Sequence, residues 1–537
     1  NDLEVAIARC WSEVLGVEKI GIRDNFYDLG GHSLLAVQLV NKMNLAAVQC
    51  SIRDLYDHST IESLADHLRL SRAQQDAHSP AQDESFPLLP VQLQAIHAEF
   101  QKGKGCTKLT PTFIDLAEDV NESALIQALD AWYKQTIFSV RFKSENEQWR
   151  QFYERRSTYD YCPIREFNLD GAVTDEELVQ EVVKIVYEMG RAIDIFSGPT
   201  LQVALLRKQG RLRYMLWIND HLLIDNISFF MLFTNFKLAY KEINERNTVW
   251  FPVDTIIGRW AAHLTELAHQ ERLLEEVGFW KSHFSVPVPN TETFAETNAG
   301  QGAIELEHRV QQLDKTTSQK VLAFLVQQGF SFEEACLGNF LWAFKSCFQD
   351  DPALLCMVGN GRDRQVEKID LSQGMGWFSI SYPAQFQLSA SSGHIEFLRD
   401  IVRQHERYSN IKEHYGALRY LNHTAGKELG EVEDWTSSVV FNCLGEVTTP
   451  NGKDDVVRLT GTCMKVHIEF DRREQQQRRF APNNGGQRVR SPLRRVSFSL
   501  SDGAIQIIFS FCKEKVDSQA VENLLQAIQQ SFAGLVS

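Results

Sequence analysis

The stretch NFYDLGGHSLLAVQLV, Asn25 to Val40, sets a hydroxyl, Ser33, directly behind Gly30, Gly31 and His32 and directly ahead of an apolar run of helical spacing. Three chemistries are open to a serine so placed: a nucleophile, an acceptor capping the first turn of the helix, or a point of covalent attachment. Serine is a preferred cap, its oxygen accepting from an N–H of the first turn. The cap alone leaves Asp28, the two glycines and His32 unexplained. A second chemical residue is His221 in DHLLIDNIS, Asp220 to Ser228. Histidine titrates near neutral pH and can take a proton from, or orient, an amine or hydroxyl. The adjacent Asp220 favours the imidazolium, which weakens the base. The alternative for His221 is a hydrogen-bonded structural histidine.

The elements that must position these residues fall into two units. Residues 1–70 read as a small all-α bundle: Leu3, Ala6, Ile7, Cys10, Trp11 and Leu15 are spaced as one face of a helix ended by Gly16, a second helix begins at Ser33, and a third spans TIESLADHLRL with Thr60 as cap and Glu62 and Asp66 outside. Residues 71–85, almost free of large apolar side chains, read as a linker. From Phe86 onward, apolar runs such as LRYMLWIN and QVALLRK read as strands, and DEELVQEVVKIVYEMG and ERLLEEVGFWKSHF as amphipathic helices. Without a repeat, this length of mixed strand and helix predicts two α/β lobes. The expected division is 86–265 and 266–537, because VPVPNTETFAETNAGQGA lacks periodicity.

Composition narrows the partners. In 537 residues, 43% hydrophobic and 23% charged, a net charge of −15 argues against a general nucleic-acid binder, whose surface would be basic. The ten cysteines form no C-x-x-C pair and read as reduced thiols of a cytoplasmic chain. No Cys/His cluster has ligand spacing, so no metal is expected. The most apolar stretch, Tyr214 to Phe233, is interrupted by Asn219, Asp220, His221, Asp225 and Asn226, so no membrane span is expected. One basic region stands out in the acidic chain: Asp471 to Arg495 holds Arg472, Arg473, Arg478, Arg479, Arg488, Arg490, Arg494 and Arg495. It reads as a solvated insertion between strands, with a binding loop for an acidic partner as the alternative.

Asp24, Phe26, Leu29, Gly30, Gly31 and Ser33 match the D-x-F-x-x-L-G-G-x-S signature, and the first unit closely resembles the peptidyl carrier (thiolation) domains of non-ribosomal peptide synthetases. The resemblance implies 4'-phosphopantetheine attached to Ser33, with Gly31 and His32 beside it, and an aminoacyl or peptidyl thioester on its thiol. Two glycines ease the turn, and a helix N-terminus suits a phosphodiester. Implied partners are a phosphopantetheinyl transferase, which Asp28 could help attract, and neighbouring modules with an adenylation domain upstream.

The second unit resembles the condensation superfamily of the same assembly lines, with the fold of two chloramphenicol-acetyltransferase-like lobes. PLLPVQ looks like its opening P-L-T-P-x-Q, IDIFSGPTLQVALL like its D-x-x-x-G-P strand, and DHLLIDNIS stands at H-H-x-x-x-D-G. GNGRDRQVEKIDLSQGMGWFSISYP and FNCLGE look most like the epimerisation subtype. The resemblance implies that His221 is catalytic, reached through a tunnel between the lobes, that Asp225 pairs with an arginine to hold the loop, and that Asn442 belongs to the site. The departures are chemical. Asp220 replaces the first histidine and Asn226 the glycine. Val358 stands where epimerising relatives have glutamate, Asn360 replaces the next histidine, and QTIFSVRF keeps only Arg141 and Phe142 of another motif. Three functions stay open: epimerisation, acyl transfer or cyclising release through His221, and a platform recruiting a separate tailoring enzyme.

Overall fold

The computed structural model describes residues 2–15, 17, 20–26, 29, 39–40, 42–43, 48, 50, 52–75, 85–99, 108–145, 148–154, 161–245, 249, 251, 254, 256–285, 306–348, 353–362, 369–371, 374–388, 393–432, 439–446, 456–478, 494–501, 503–513 and 516–536. In the first unit, helix α1 (Asp2–Leu15) buries Ile7, Cys10 and Trp11. Helices α2 (Ile52–Asp57) and α3 (Ile61–Gln75) close the same core, which also takes Leu39, Val40 and Met43. Thr60 caps α3, its hydroxyl accepting from the Ser63 N–H at 3.2 Å. Phe26 of the signature is fully buried with its ring 5.2 Å from Trp11, and the Phe26 N–H reaches the Ser59 carbonyl at 2.8 Å. One role of the signature is thus to anchor the loop that leads toward Ser33. Gly31, His32 and Ser33, with the start of their helix, lie outside the described residues.

α3 runs on to Gln75, so the first five residues expected as linker are helical. The reason is local: Arg72, Ala73, Gln74 and Gln75 are good helix formers, and no Gly or Pro intervenes before Pro80.

The next elements are β1 (Phe86–Pro87), α4 (Pro90–Glu99), β2 (Leu109–Leu116), α5 (Glu122–Tyr133), β3 (Val140–Glu145), β4 (Gln148–Tyr153), β5 (Ile164–Asn168), α6 (Asp175–Gly190), β6 (Leu201–Lys208), β7 (Arg211–Asp220) and α7 (Asn226–Asn244). Strand alternation fixes two faces. Met215 and Trp217 of β7 join Ile114 of β2 in a core with α5 and α7, while Leu216, Ile218 and Phe113 face α6 on the other side. The strands β1, β4 and β3 form a small separate sheet.

α8 (Ile256–Leu267), α9 (Glu271–Leu274) and α10 (Val277–Ser285) follow. The segment expected as one helix from Glu271 is broken after Leu274, where the Glu276 N–H turns back to the Leu273 carbonyl at 3.0 Å. Ile257, Trp260 and Trp280 belong to the core of the second lobe. The chain has therefore changed lobe by residue 256, and the expected division at 265/266 cuts through α8.

The second lobe contains β8 (Leu306–Gln312), α11 (Lys315–Gln328), α12 (Phe332–Phe348), β9 (Ala353–Gly359), β10 (Ile380–Phe386), α13 (His394–Glu406), α14 (Lys412–Leu421), α15 (His423–Val432) and β11 (Val439–Glu446). After β12 (Val457–Arg458) and α16 (Gly461–Arg478), it is completed by β13 (Arg494–Ser501), β14 (Ala504–Cys512) and α17 (Ser518–Gly534). Its sheet has the order β10-β9-β11-β13-β14-β8, with β11 parallel to both β9 and β13.

β12 and α16 return to the first lobe. β12 pairs antiparallel with β2, Val457 opposite Leu116, giving the sheet order β12-β2-β7-β6-β5. Val466 and Phe470 of α16 are fully buried in the α6 core. The lobes are therefore not two continuous halves of the sequence. The Arg-rich region is likewise no single insertion: it is helical through Arg478 and strand from Arg494, and residues 479–493 lie outside the described set. Among the described residues, no helix is long and apolar enough to cross a membrane.

Candidate functional site

β7 ends at Asp220, and the chain turns through His221, Leu222 and Leu223 before α7 begins. The turn is fixed by its backbone. The His221 N–H donates to the Lys108 carbonyl at 2.8 Å, and the Leu223 N–H to the Asp220 carbonyl at 3.1 Å. Gln92, from the PLLPVQ stretch at the start of α4, is fully buried and donates its amide to the Leu222 carbonyl at 2.9 Å. One Asp220 oxygen accepts from the Leu222 N–H at 2.8 Å. The aspartate thus braces the turn from a fully buried position, in addition to the charge that its place beside His221 suggests.

The His221 imidazole is half-buried and lies against Trp377, ring centroids 4.2 Å apart and planes 31° apart. Trp377 arrives from the second lobe and packs on the core of the first. The two motifs, DHLLIDNIS and GMGWF, therefore meet across the lobe boundary.

Asp225 joins them. It caps α7 by accepting from the Ser228 N–H at 2.8 Å, and also accepts from the Phe378 N–H at 2.9 Å. Arg362 donates to both of its oxygens, at 2.7 and 3.1 Å, and the side chains are only 6% and 4% exposed. Such a bidentate pair fixes orientation as well as charge. Arg362 also reaches the Ser228 hydroxyl at 2.8 Å and the Gly374 carbonyl at 3.2 Å, with its guanidinium over the Phe378 ring. The arginine partner expected of Asp225 is thus Arg362.

Arg362 is delivered by the turn after β9. Its N–H donates to the Asn360 side chain at 2.8 Å, so the residue standing in place of a histidine builds the turn. Gly361 has φ +66°, and a Cβ there would lie 1.8 Å from the Phe378 carbonyl oxygen. Only glycine fits. Asp254 completes the clasp, accepting from Ile256 N–H at 2.9 Å and Met375 N–H at 2.7 Å; burial pushes its carboxyl above the usual range.

Val358 sits near the end of β9, half-buried against the core of the second lobe. It lies in register with Asn442 of β11 and with Ser381 of β10. The structure thus groups His221 with Trp377, Asp225 and Arg362, and sets Asn442 beside Val358. Arg141 is structural: it is buried, donates to the Phe138 and Val140 carbonyls at 3.0 and 2.9 Å, and pairs with Glu154 at 2.9 Å.

Gln92, Ser228, Arg362 and Trp377 all lie inside the quoted motifs, although the sequence patterns mark only His221, Asp225 and Asn442 as site residues of this domain. Asp254 lies in no motif and contacts a backbone more than a hundred residues away, so no local signal marks it.

A histidine turn is thus clasped between two lobes, behind a small helical unit. Residues 81–471 match the condensation domain family, and residues 5–68 match the phosphopantetheine attachment site family. The chain belongs to the condensation domain family, with a carrier domain ahead of it, and has the chloramphenicol-acetyltransferase-like fold of that family.

It is 25% identical over 467 residues to one of the linear gramicidin synthase proteins of Brevibacillus parabrevis, covering 85% of this chain and 9% of that protein. To chondramide synthase cmdD of Chondromyces crocatus it is 24% identical over 555 residues, covering 98% of this chain and 13% of that one. The chain spans about a tenth of the length of these relatives. Among solved structures, it resembles the epimerization domain from the third module of tyrocidine synthetase B with a TM-score of 0.68 at 17% identity, covering 84% of this chain and 96% of that chain. The X-domain from teicoplanin biosynthesis aligns with a TM-score of 0.61 at 13% identity, over 86% and 96% of the two chains. The complex of the X-domain and OxyB aligns with a TM-score of 0.57 at 13% identity, over 85% and 94%. At these identities the likeness is one of fold.

Proposed function

We propose that the chain acts in non-ribosomal peptide assembly, that Ser33 carries phosphopantetheine bearing an aminoacyl or peptidyl thioester, and that His221 is the proton-handling residue that remains of the family's catalytic motif. The observation that carries this reading is the bracing of His221: its turn is held by Lys108 and Gln92, its ring by Trp377, and the following helix start by the Asp225–Arg362 pair. Phosphopantetheine supplies a thiol on a long arm and an acyl group already activated as a thioester. His221 then needs only to orient an amine or hydroxyl nucleophile and accept its proton, since positioning supplies much of the rate. Epimerisation needs a second group to return the proton to the other face, and Val358 holds no proton. Asp225 and Arg362 are positioning residues in this scheme, and Asn442 lines the strand beside Val358.

A second reading is that the domain recruits a tailoring enzyme. Its support is the fold likeness to an X-domain solved in complex with OxyB, together with Val358 and Asn360 standing where a glutamate and a histidine are expected. A phosphopantetheinyl transferase and neighbouring synthetase modules are the partners under either reading.

The test is mass spectrometry of the arm released from Ser33 after loading with a panel of acyl groups, with amine nucleophiles present and in deuterated water. Acyl transfer that is lost in His221→Ala supports the proposal. Deuterium at the α-carbon that is lost in His221→Ala overturns it in favour of epimerisation, and an acyl group that neither exchanges nor moves supports the recruiting reading.

A further inference from the structure

Lys42 lies nine residues beyond Ser33 in the carrier and is shared between two carboxylates that belong to different units. Its ammonium is 2.5 Å from Glu13 on α1 and 3.2 Å from Glu242 at the end of α7. The side chains of Lys42 and Glu242 are 19% and 20% exposed. Glu13 is also held by Arg9 at 3.0 Å. Partial burial opposes the charge on Lys42, and its bonds to Glu13 and Glu242 outweigh that, holding its pKa above the ordinary value. Without Lys42, Glu13 and Glu242 would face each other as like charges across the boundary between the units.

The location gives this contact a meaning. Asp225 caps α7 beside His221, whereas Glu242 lies near the other end of the helix, about 24 Å along its axis at 1.5 Å per residue. Residues 76–85, between α3 and β1, span at most roughly 36 Å when extended. On such a tether the carrier meets the lobe at an effective concentration in the millimolar range, so a weak ionic contact suffices to bias its position.

We infer that the C-terminal end of α7 is a docking site for the chain's own carrier, with Lys42 clamped between Glu13 and Glu242, and that the docked carrier rests at the opposite end of α7 from His221. The inference adds a resting position to the carrier reading of residues 5–68 and rests on it for its purpose. The contact is ionic and at a surface, so it weakens as salt shortens the screening length from ~10 Å at 0.1 M to ~3 Å at 1 M.

The experiment is zero-length carbodiimide cross-linking of the full chain, read by peptide mass spectrometry, with solution scattering alongside. A Lys42–Glu242 product is expected at low salt, falling several-fold at 1 M salt and vanishing in Glu242→Gln. The Lys42–Glu13 product should persist in Glu242→Gln, which reports a folded carrier. Lys42→Glu should raise the radius of gyration, and Lys42→Glu combined with Glu242→Lys should restore it, because the cation then sits between two carboxylates again. Absence of the Lys42–Glu242 product while Lys42–Glu13 forms would overturn the inference, and so would a radius indifferent to Lys42→Glu. Mass spectrometry of Ser33 judges the carrier reading separately: an unmodified Ser33 with the cross-link intact defeats that reading and leaves the docking site standing.

Discussion

Replacing Asp225 by Asn removes one charge and turns the oxygen that accepts from Phe378 N–H and Arg362 into a donating NH2. Asparagine is as good a helix cap as aspartate, so the start of α7 keeps an acceptor for the Ser228 N–H. What is lost is the counter-charge of Arg362, a guanidinium only 6% exposed, together with the acceptor for the Phe378 N–H. Removing one member of a buried pair costs about 3–5 kcal/mol, because the other charge stays in a poorly solvating place. At about 1.4 kcal/mol per factor of ten, local opening of the clasp should become roughly a hundred to a few thousand times more frequent. The assay is hydrogen exchange resolved to peptides. The amides of Gly376 and Phe378, held at 3.0 and 2.9 Å by Ser228 and Asp225, should exchange faster, while peptides from α3 should not change. Adding Arg362→Met should recover part of the loss, since no uncompensated charge remains. Unchanged exchange at residues 374–378 in Asp225→Asn would refute the reasoning, as would a double variant that opens more than the two single variants together.

Two further outcomes follow from the geometry and the titrating groups. Gly361→Ala should lower the melting temperature of the condensation-type domain and speed exchange in the same peptides. A side chain at φ +66° costs roughly 1–3 kcal/mol before the clash with the Phe378 carbonyl is added, and an unchanged melting temperature would mean that the turn moves freely. Stability should also fall as the pH drops from 6.5 toward 4. Burial lowers the His394 and His405 pKa values to about 4, whereas unfolded histidine titrates near 6.5. Between these values the unfolded chain binds more protons, so stability rises with pH across the window and is lost on acidification, by at most about 3 kcal/mol for His405 and by less for the more exposed His394, where solvent screens the effect. His283 shifts in the same direction: burial lowers its pKa and outweighs the opposing bond from its Nδ1–H to the Phe279 carbonyl, with Arg407 adding to the lowering. Denaturant midpoints at pH 7 and pH 5 check the sign, and His405→Gln should flatten the dependence.

Much of the architecture is written in local patterns. β6 and β7 are apolar runs bounded by turn residues, and α6 matches its sixteen-residue amphipathic segment from end to end, with a Thr174–Glu177 capping box. The pairing of Asp225 with an arginine is legible from motif resemblance, but its partner is not, since Arg362 is 137 residues away and one of several arginines. α8 shows why lobe boundaries are harder. Its periodicity reveals an apolar face but not which core receives it. The C-terminal half of α16 has the sequence of a solvated insertion because charged and amide side chains dominate it; among the described side chains of the helix, Val466 and Phe470 are the ones fully buried in the first-lobe core. A sequence of that composition leaves little apolar period to read.

The return of β12 and α16 to the first lobe also has a consequence in time. On a ribosome adding about 5–20 residues per second, β7 is complete roughly 10–50 s before α16 emerges to cover the same sheet. During that interval the edge of β2 that will pair with β12 is an unpaired ladder of N–H and C=O groups, a surface that invites pairing with another chain. Any truncation made between residues 268 and 456 turns that passing state into a permanent one, and a module exchange there must supply a strand that fits the same edge. The sound places to cut and rejoin this polypeptide are therefore before β1 and after α17.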